Sequence, residues 1–190
     1  MSFRHSLAAA LLAGAGLVNA QAAALPGDGS WSGFLVSSAG ATSGGLEWID
    51  DTGAPLNFDF SIPLGQQGLL TVVDAGFAGD SFKVYSGSGL IGSTSAVPVT
   101  VYDPNTAAIV DFDAALADPA FSRGSFTLDA GSYRVIGVLD RSVLLSDGAR
   151  LDATIGGVRL LVSAVPEPGS LALLLVGLGL LAVGARRRTR

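Results

Sequence analysis

Apolar and polar residues alternate through much of this chain, most strictly in Phe58-Asp59-Phe60-Ser61-Ile62. Such a period of two places Phe58, Phe60 and Ile62 on one face of a strand and the polar pair on the other, so the first face should be core. Runs rich in Val, Ile, Phe and Thr, bounded by Gly, Asp, Ser or Pro, predict further strands. They cover Trp31 to Val36, Leu56 to Ile62, Leu69 to Asp74, Ser81 to Tyr85, Val97 to Tyr102, Gly124 to Leu128, Tyr133 to Leu139 and Ala149 to Val162. Shorter runs lie at Leu46 to Ile49 and Leu90 to Gly92. Only Ile109 to Ala117, through Phe112 and Leu116, has a helical spacing, and Pro119 ends it after about two turns. Many short strands joined by Gly-rich turns predict an all-β fold, an antiparallel β-sandwich of jelly-roll type with one short helix.

The two ends break this pattern. The N-terminus has a short n-region, Met1 to Ser6, with Arg4 as its base, then an uncharged Ala/Leu/Gly run from Leu7 to Val18, then Asn19-Ala20-Gln21-Ala22-Ala23-Ala24. Those three parts are what signal peptidase requires, so residues 1–24 read as a helical signal peptide cleaved after Ala20, Ala22 or Ala24. At the other end, Val165-Pro166-Glu167-Pro168-Gly169-Ser170 precedes an apolar run from Leu171 to Ala185 and then Arg186-Arg187-Arg188-Thr189-Arg190. Residues 169–185, as a helix rising about 1.5 Å per residue, reach about 25 Å, marginally enough for a single transmembrane span. Arg186, Arg187, Arg188 and Arg190 resist translocation and should hold their end in the cytoplasm. Pro166 and Pro168 lack backbone N–H groups, so 165–170 should be an extended, protease-accessible strip on the far side of the inner membrane.

Val165-Pro166-Glu167-Pro168, the Leu/Gly-rich span and the arginine cluster together resemble the PEP-CTERM sorting signal of Gram-negative bacteria. The resemblance implies recognition by an exosortase, a membrane-embedded cysteine transpeptidase-like enzyme, and removal of the tail near Pro166 to Pro168. It also implies export alongside an exopolysaccharide system, to the cell envelope, the surface or the matrix. The stretch from Leu69 to Tyr85, with its Asp74-Ala75-Gly76-Phe77-Ala78-Gly79-Asp80 corner, and Gly92-Ser93-Thr94-Ser95 after it, resembles a segment that recurs in secreted PEP-CTERM cargo. The likeness runs on loosely to Leu128-Asp129-Ala130-Gly131-Ser132-Tyr133, and what it implies is fold alone.

Setting both ends aside leaves a cargo of residues 25–164, long enough to form one domain with its own core. It has six bases against fifteen acids, a net charge of −9. That balance, without a basic stripe, argues against nucleic acid as a partner. Cysteine is absent and the one histidine, His5, lies in the leader. The cargo therefore has no thiol chemistry, no disulfide staple and no imidazole base or ligand. With no histidine and no G-x-S-x-G, serine hydrolase chemistry is excluded as well.

Three features invite a chemical reading. Gly87-Ser88-Gly89-Leu90-Ile91-Gly92 fits G-x-G-x-x-G, but Ser93, Thr94 and Pro98 follow instead of a helix, so a Gly-rich hairpin turn explains it and no cofactor is expected. Acids come in near pairs at Asp50/Asp51 and Asp111/Asp113, while Asp74 and Asp80 flank the glycine corner. Carboxylates so placed could ligate calcium, with Asp111 and Asp113 the candidates, yet none follows the spaced loop ending in Glu, and turns use Asp for local hydrogen bonds. Trp31, Trp48, Tyr85, Tyr102 and Tyr133 could stack on sugars or fill the core; Trp48, beside Glu47, Asp50 and Asp51, is the one expected to be exposed. The sequence thus points to a non-enzymatic exported protein, with a lectin-like polysaccharide-binding module and a carboxylate-dependent glycan-active enzyme as the alternatives.

Overall fold

The computed structural model describes residues 21–165. In chain order these form β1 (Gln21–Ala24), β2 (Asp28–Ser37), β3 (Leu56–Ile62), β4 (Gln66–Ala75), β5 (Ser81–Ser86), β6 (Gly89–Ser93), α1 (Phe112–Ala117), β7 (Arg123–Leu128), β8 (Gly131–Arg141) and β9 (Ala153–Ala164). One sheet has the order β1-β3-β8-β5-β6 and the other β2-β9-β4-β7. Apart from β1, which runs parallel to β3, every neighbouring pair is antiparallel. With β1 left aside, four strands face four in the order that a jelly-roll winding produces.

The inner faces meet in a core of Phe34 and Val36 from β2, Phe58, Phe60 and Ile62 from β3, Leu70 and Val72 from β4, Phe82 and Val84 from β5, Val135 and Leu139 from β8, and Val158 and Leu160 from β9. The alternation in β3 is as read from sequence: Phe58, Phe60 and Ile62 are buried and Ser61 is exposed. At the centre is Trp48, from the connection between β2 and β3. It is fully buried, against the expectation of exposure. Its backbone N–H donates to the Gly137 carbonyl (2.9 Å), and its carbonyl accepts from Leu56 (2.8 Å), which turns the side chain inward while Glu47 bridges to Val138. The indole stacks on Phe34 at 4.1 Å and meets Phe58 and Phe82 edge-on. Its Nε1–H is buried with no acceptor among the described residues, a cost of about 1–3 kcal/mol that the ring packing must exceed.

A second, smaller cluster lies on the outer face of the four-stranded sheet. Asp111 caps α1, its carboxylate accepting from the N–H groups of Asp113 (2.9 Å) and Ala114 (3.1 Å), and the helix stops at Asp118, before Pro119. The predicted helix therefore starts three residues later than the spacing suggested. Ala115 and Phe121 are buried against Val73 and Ala75, with Phe112 packed beside them.

Two further expectations are corrected. Val97 to Tyr102 is not a strand: Pro98 has no N–H to give a ladder, Val99 and Val101 face solvent, and the segment is held by single bonds between Thr100, Tyr102 and Leu144. The last strand begins at Ala153 rather than Ala149, because Asp152 takes a left-handed φ of 48° that breaks the extended run. Residues 21–24, the end of the expected leader, form β1 along the edge of β3, and Leu25 then donates to the Asp59 carbonyl (3.1 Å). The leader's residues 1–20 and the tail from Pro166 onward lie outside the described residues, so the expected signal-peptide and transmembrane helices fall there; among the described residues no helix is long and apolar enough to cross a membrane.

The Trp48 site sets a test of the core. A Cβ built on Gly137 would collide with the Trp48 indole. Gly137→Ala should therefore lower the unfolding free energy by about 1–3 kcal/mol or more in urea titrations. Placed in a Trp48→Phe background the same substitution should cost measurably less, giving a non-additive cycle.

Candidate functional site

The sandwich has two ends with different chemistry. At one end β9 runs out at Ala164, and the N–H of Val165 donates to the Gly65 carbonyl in the β3–β4 turn (3.0 Å). Val165, the first residue of the predicted processing strip, is thus exposed yet fastened to the domain, and Pro166, Glu167 and Pro168 follow directly outside the described residues. Because β9 lies between β2 and β4, the strip continues from an interior strand.

At the opposite end, Leu35, Ile49, Phe77, Tyr102, Leu151 and Ile155 line a cavity of about 560 Å³. A neighbouring cavity of about 630 Å³ shares Leu35, Ile49, Asp50, Asp51 and Ile155 with it, so the two form one apolar groove with the Asp50–Gly53 turn at its rim. Phe77 and Tyr102 pack edge to face at 4.9 Å on one wall. Sequence reasoning missed this groove, since its walls come from five separate segments. Asp50 does not reach into it as a free acid. Its Oδ1 accepts from the Thr52 hydroxyl (2.7 Å), the Thr52 N–H (2.9 Å) and the Ala54 N–H (3.0 Å), and the Thr52 hydroxyl bond in particular holds the carboxyl below its usual range. This is an Asx turn of the kind that Asp serves in loops.

The other acids are likewise placed by the structure. Asp111 caps α1, and Asp113 accepts from the Trp31 indole N–H (3.0 Å) and from Arg159 (3.1 Å), whose guanidinium lies over the Trp31 ring at 4.4 Å. The calcium candidates thus serve a helix cap and an ion pair, and among the described residues no three acidic or histidine side chains gather as a metal site. The G-x-G-x-x-G stretch forms the β5–β6 turn and β6, with Gly87 at a left-handed φ of 58° and Gly92 making room for Phe126. Of the remaining aromatics, Tyr133 stacks on Phe60 across β3 and β8.

Asp74 and Asp80 sit at the β4–β5 corner, where Gly76 and Gly79 take positive φ values of 81° and 133°. Both acids are buried. Asp80 accepts from the Val143 N–H at 2.8 Å, while Asp74 accepts from the Asp80 N–H (3.3 Å) and the Thr154 hydroxyl (3.4 Å). Burial raises both carboxyls, and for Asp74 the neighbouring Asp80 charge adds to it, taking Asp74 to about 9. The pair braces one corner to β8's exit and to β9, behind the groove wall that Thr154 forms.

Taken together these features define a two-sheet β protein whose last strand runs directly into Pro166-Glu167-Pro168 and the apolar sequence from Leu171 to Ala185. Residues 164–188 match the family model of the PEP-CTERM protein-sorting motif, and the chain carries that motif. The motif implies export of a membrane-anchored precursor that an exosortase processes. No curated protein and no solved structure matches the chain.

The Asp74 corner yields a pH prediction. A carboxyl raised to about 9 in the folded state binds its proton more tightly than in the unfolded chain, so its burial costs stability increasingly as pH rises from about 4 to about 9. Asp74→Asn mimics the protonated form. It should be more stable than wild type at pH 7 to 8, with the difference shrinking toward pH 4, as read from urea midpoints across that range; equal midpoints at pH 8 would mean that Asp74 ionises at no cost.

Proposed function

We propose that this is a non-enzymatic protein of the cell envelope or extracellular matrix. Signal peptidase releases it from its leader, the C-terminal span holds it in the inner membrane, and an exosortase processes it at the Val165–Pro168 strip, in association with exopolysaccharide. The observation that carries the reading is the sorting motif at residues 164–188, which begins on the last residue of β9. The chemistry of the domain supports the non-enzymatic part. Asp50, Asp111 and Asp113 are engaged in turn, cap and ion pair, and Asp74 and Asp80 are closed off from solvent.

A second reading, a binding module, has the groove in its favour. Its walls are mostly aliphatic, with Phe77 and Tyr102 packed against each other, which suits an apolar ligand better than a sugar ring. With Trp48 in the core, the lectin-like version loses the aromatic it relied on.

Intact mass of the protein recovered from a host with an exosortase tests the first reading. Wild type should end near Pro168, while a Pro166→Ala/Glu167→Ala/Pro168→Ala variant should keep its arginine tail; a tail retained in both would reduce the motif to a simple anchor. The same spectra read the leader. Cleavage after Ala20 leaves β1 whole, whereas cleavage after Ala22 or Ala24 cuts into a strand that pairs with β3, so the mature chain should begin at Gln21.

A further inference from the structure

We infer that the end of the sandwich carrying the β3–β4 turn rests on the lipid bilayer in the membrane-anchored precursor, with Leu64 as the residue that enters the interface. Leu64 is 94% exposed, the most exposed large apolar residue among those described. The turn itself explains its position: Gln66 donates to the Pro63 carbonyl (3.1 Å) and Gly65 takes a φ of 78°, so Leu64 stands at the outer corner of a tight turn. At that exposure its side chain packs against almost nothing among the described residues. Turns of this kind favour polar residues, Pro or Gly, so a leucine there presents apolar surface without gain to the domain.

The neighbourhood continues the theme. Val165, 43% exposed, is bonded to Gly65, and Leu69 and Leu161, direct cross-strand partners on the outer face of the four-stranded sheet, are 42% and 49% exposed. Among the described residues the charges at this end are Asp129, which accepts from Gln67, and Asp28, opposite Leu161. The nearest bases, Arg134 and Arg159, are engaged with Asp59 and Asp113. Apolar contact, rather than attraction to anionic lipid, is therefore what this surface offers.

The occupant follows from where the chain goes next. This step rests on reading residues 171–185 as the membrane span. Val165 is six residues from Leu171, so even fully extended strip residues put the turn within about 20 Å of the point where the chain enters lipid. One leucine would not hold a free protein to a membrane, but a tether this short keeps it at high local concentration beside the bilayer, where a weak contact is populated. Contact here would also hold Val165 and the strip after it at the membrane surface, where a membrane-embedded processing enzyme must reach them.

The full chain has no cysteine, so a single introduced one takes a single spin label. Ser163→Cys places it beside Val165, and Ser146→Cys places it in the exposed loop before β9, at the opposite end. In the full chain inserted into phosphatidylcholine vesicles, the Ser163 label should be several-fold more accessible to oxygen than to a water-soluble nickel chelate, and Leu64→Asp should abolish that preference. The Ser146 label should read as aqueous throughout. If the chain floats with the vesicles but the Ser163 label is as aqueous as the Ser146 label, the inference is overturned and the span stands. A chain that does not float removes both. A preference that grows with protein density and is insensitive to lipid would assign the surface to a second copy, which also overturns it.

Discussion

The strand that the rest of the structure depends on is β9, and within it the pair Gly156-Gly157. β9 is hydrogen-bonded to β2 on one side and to β4 on the other along most of its twelve residues. A Cβ on Gly156 would strike the Phe34 ring, and one on Gly157 would strike Phe112. The first ring belongs to the inner core and stacks on Trp48; the second belongs to α1 on the outer face. Two adjacent glycines thus let one central strand serve as floor for both hydrophobic clusters, because neighbouring residues of a strand face opposite sides. Interiors packed at crystal-like density leave little room for a methyl group in either place.

This arrangement shows why some features were legible in the sequence and others were not. β3 could be read to the residue, because Phe58, Phe60 and Ile62 face a buried side while Asp59 and Ser61 do not, and period-two alternation records that directly. The Asp74–Asp80 corner was legible as a glycine-bearing turn, and Gly76 and Gly79 take positive φ there. Trp48 was misread because its neighbours are acidic, yet Glu47 and Asp50 answer to their own turn and bridge; the indole's environment is set by Phe34, Phe58 and Phe82, none of them near it in sequence. Val97 to Tyr102 failed for the reverse reason: its composition is strand-like, but no sheet edge receives it and Pro98 cannot contribute a donor. The groove was not legible at all, since Leu35, Ile49, Phe77, Tyr102 and Ile155 meet only through the winding of the two sheets.

The acids follow a related logic. The domain carries many more carboxylates than bases, and such a surplus in an exported protein invites a search for metal or catalysis. Local demands account for most of those the sequence singled out. Asp50 closes a turn, Asp111 caps a helix, Asp113 anchors Arg159 over Trp31, and Asp59 holds Arg134 through two hydrogen bonds across β3 and β8. A short carboxylate is the side chain that meets unpaired backbone N–H groups at turns and helix starts, so a β-rich domain with many turns accumulates Asp on those grounds alone.

The length of β9 then divides the molecule by task. From Ala153, at the groove, to Val165, at the strip, twelve steps of about 3.3 Å make a separation of roughly 40 Å. The tail can load the fold only through its best-paired strand, so a pull at Val165 is spread over the ladders to both β2 and β4 rather than peeling an edge. An edge strand such as β1, with one partner, would transmit the same pull to a single ladder. A cargo held by its C-terminus in a membrane thus benefits from ending on an interior strand, and this placement also turns the groove toward the side away from the tether. On the proposed function, processing at the strip and a ligand in the groove would meet the protein at opposite ends of one strand, and neither would have to displace the other.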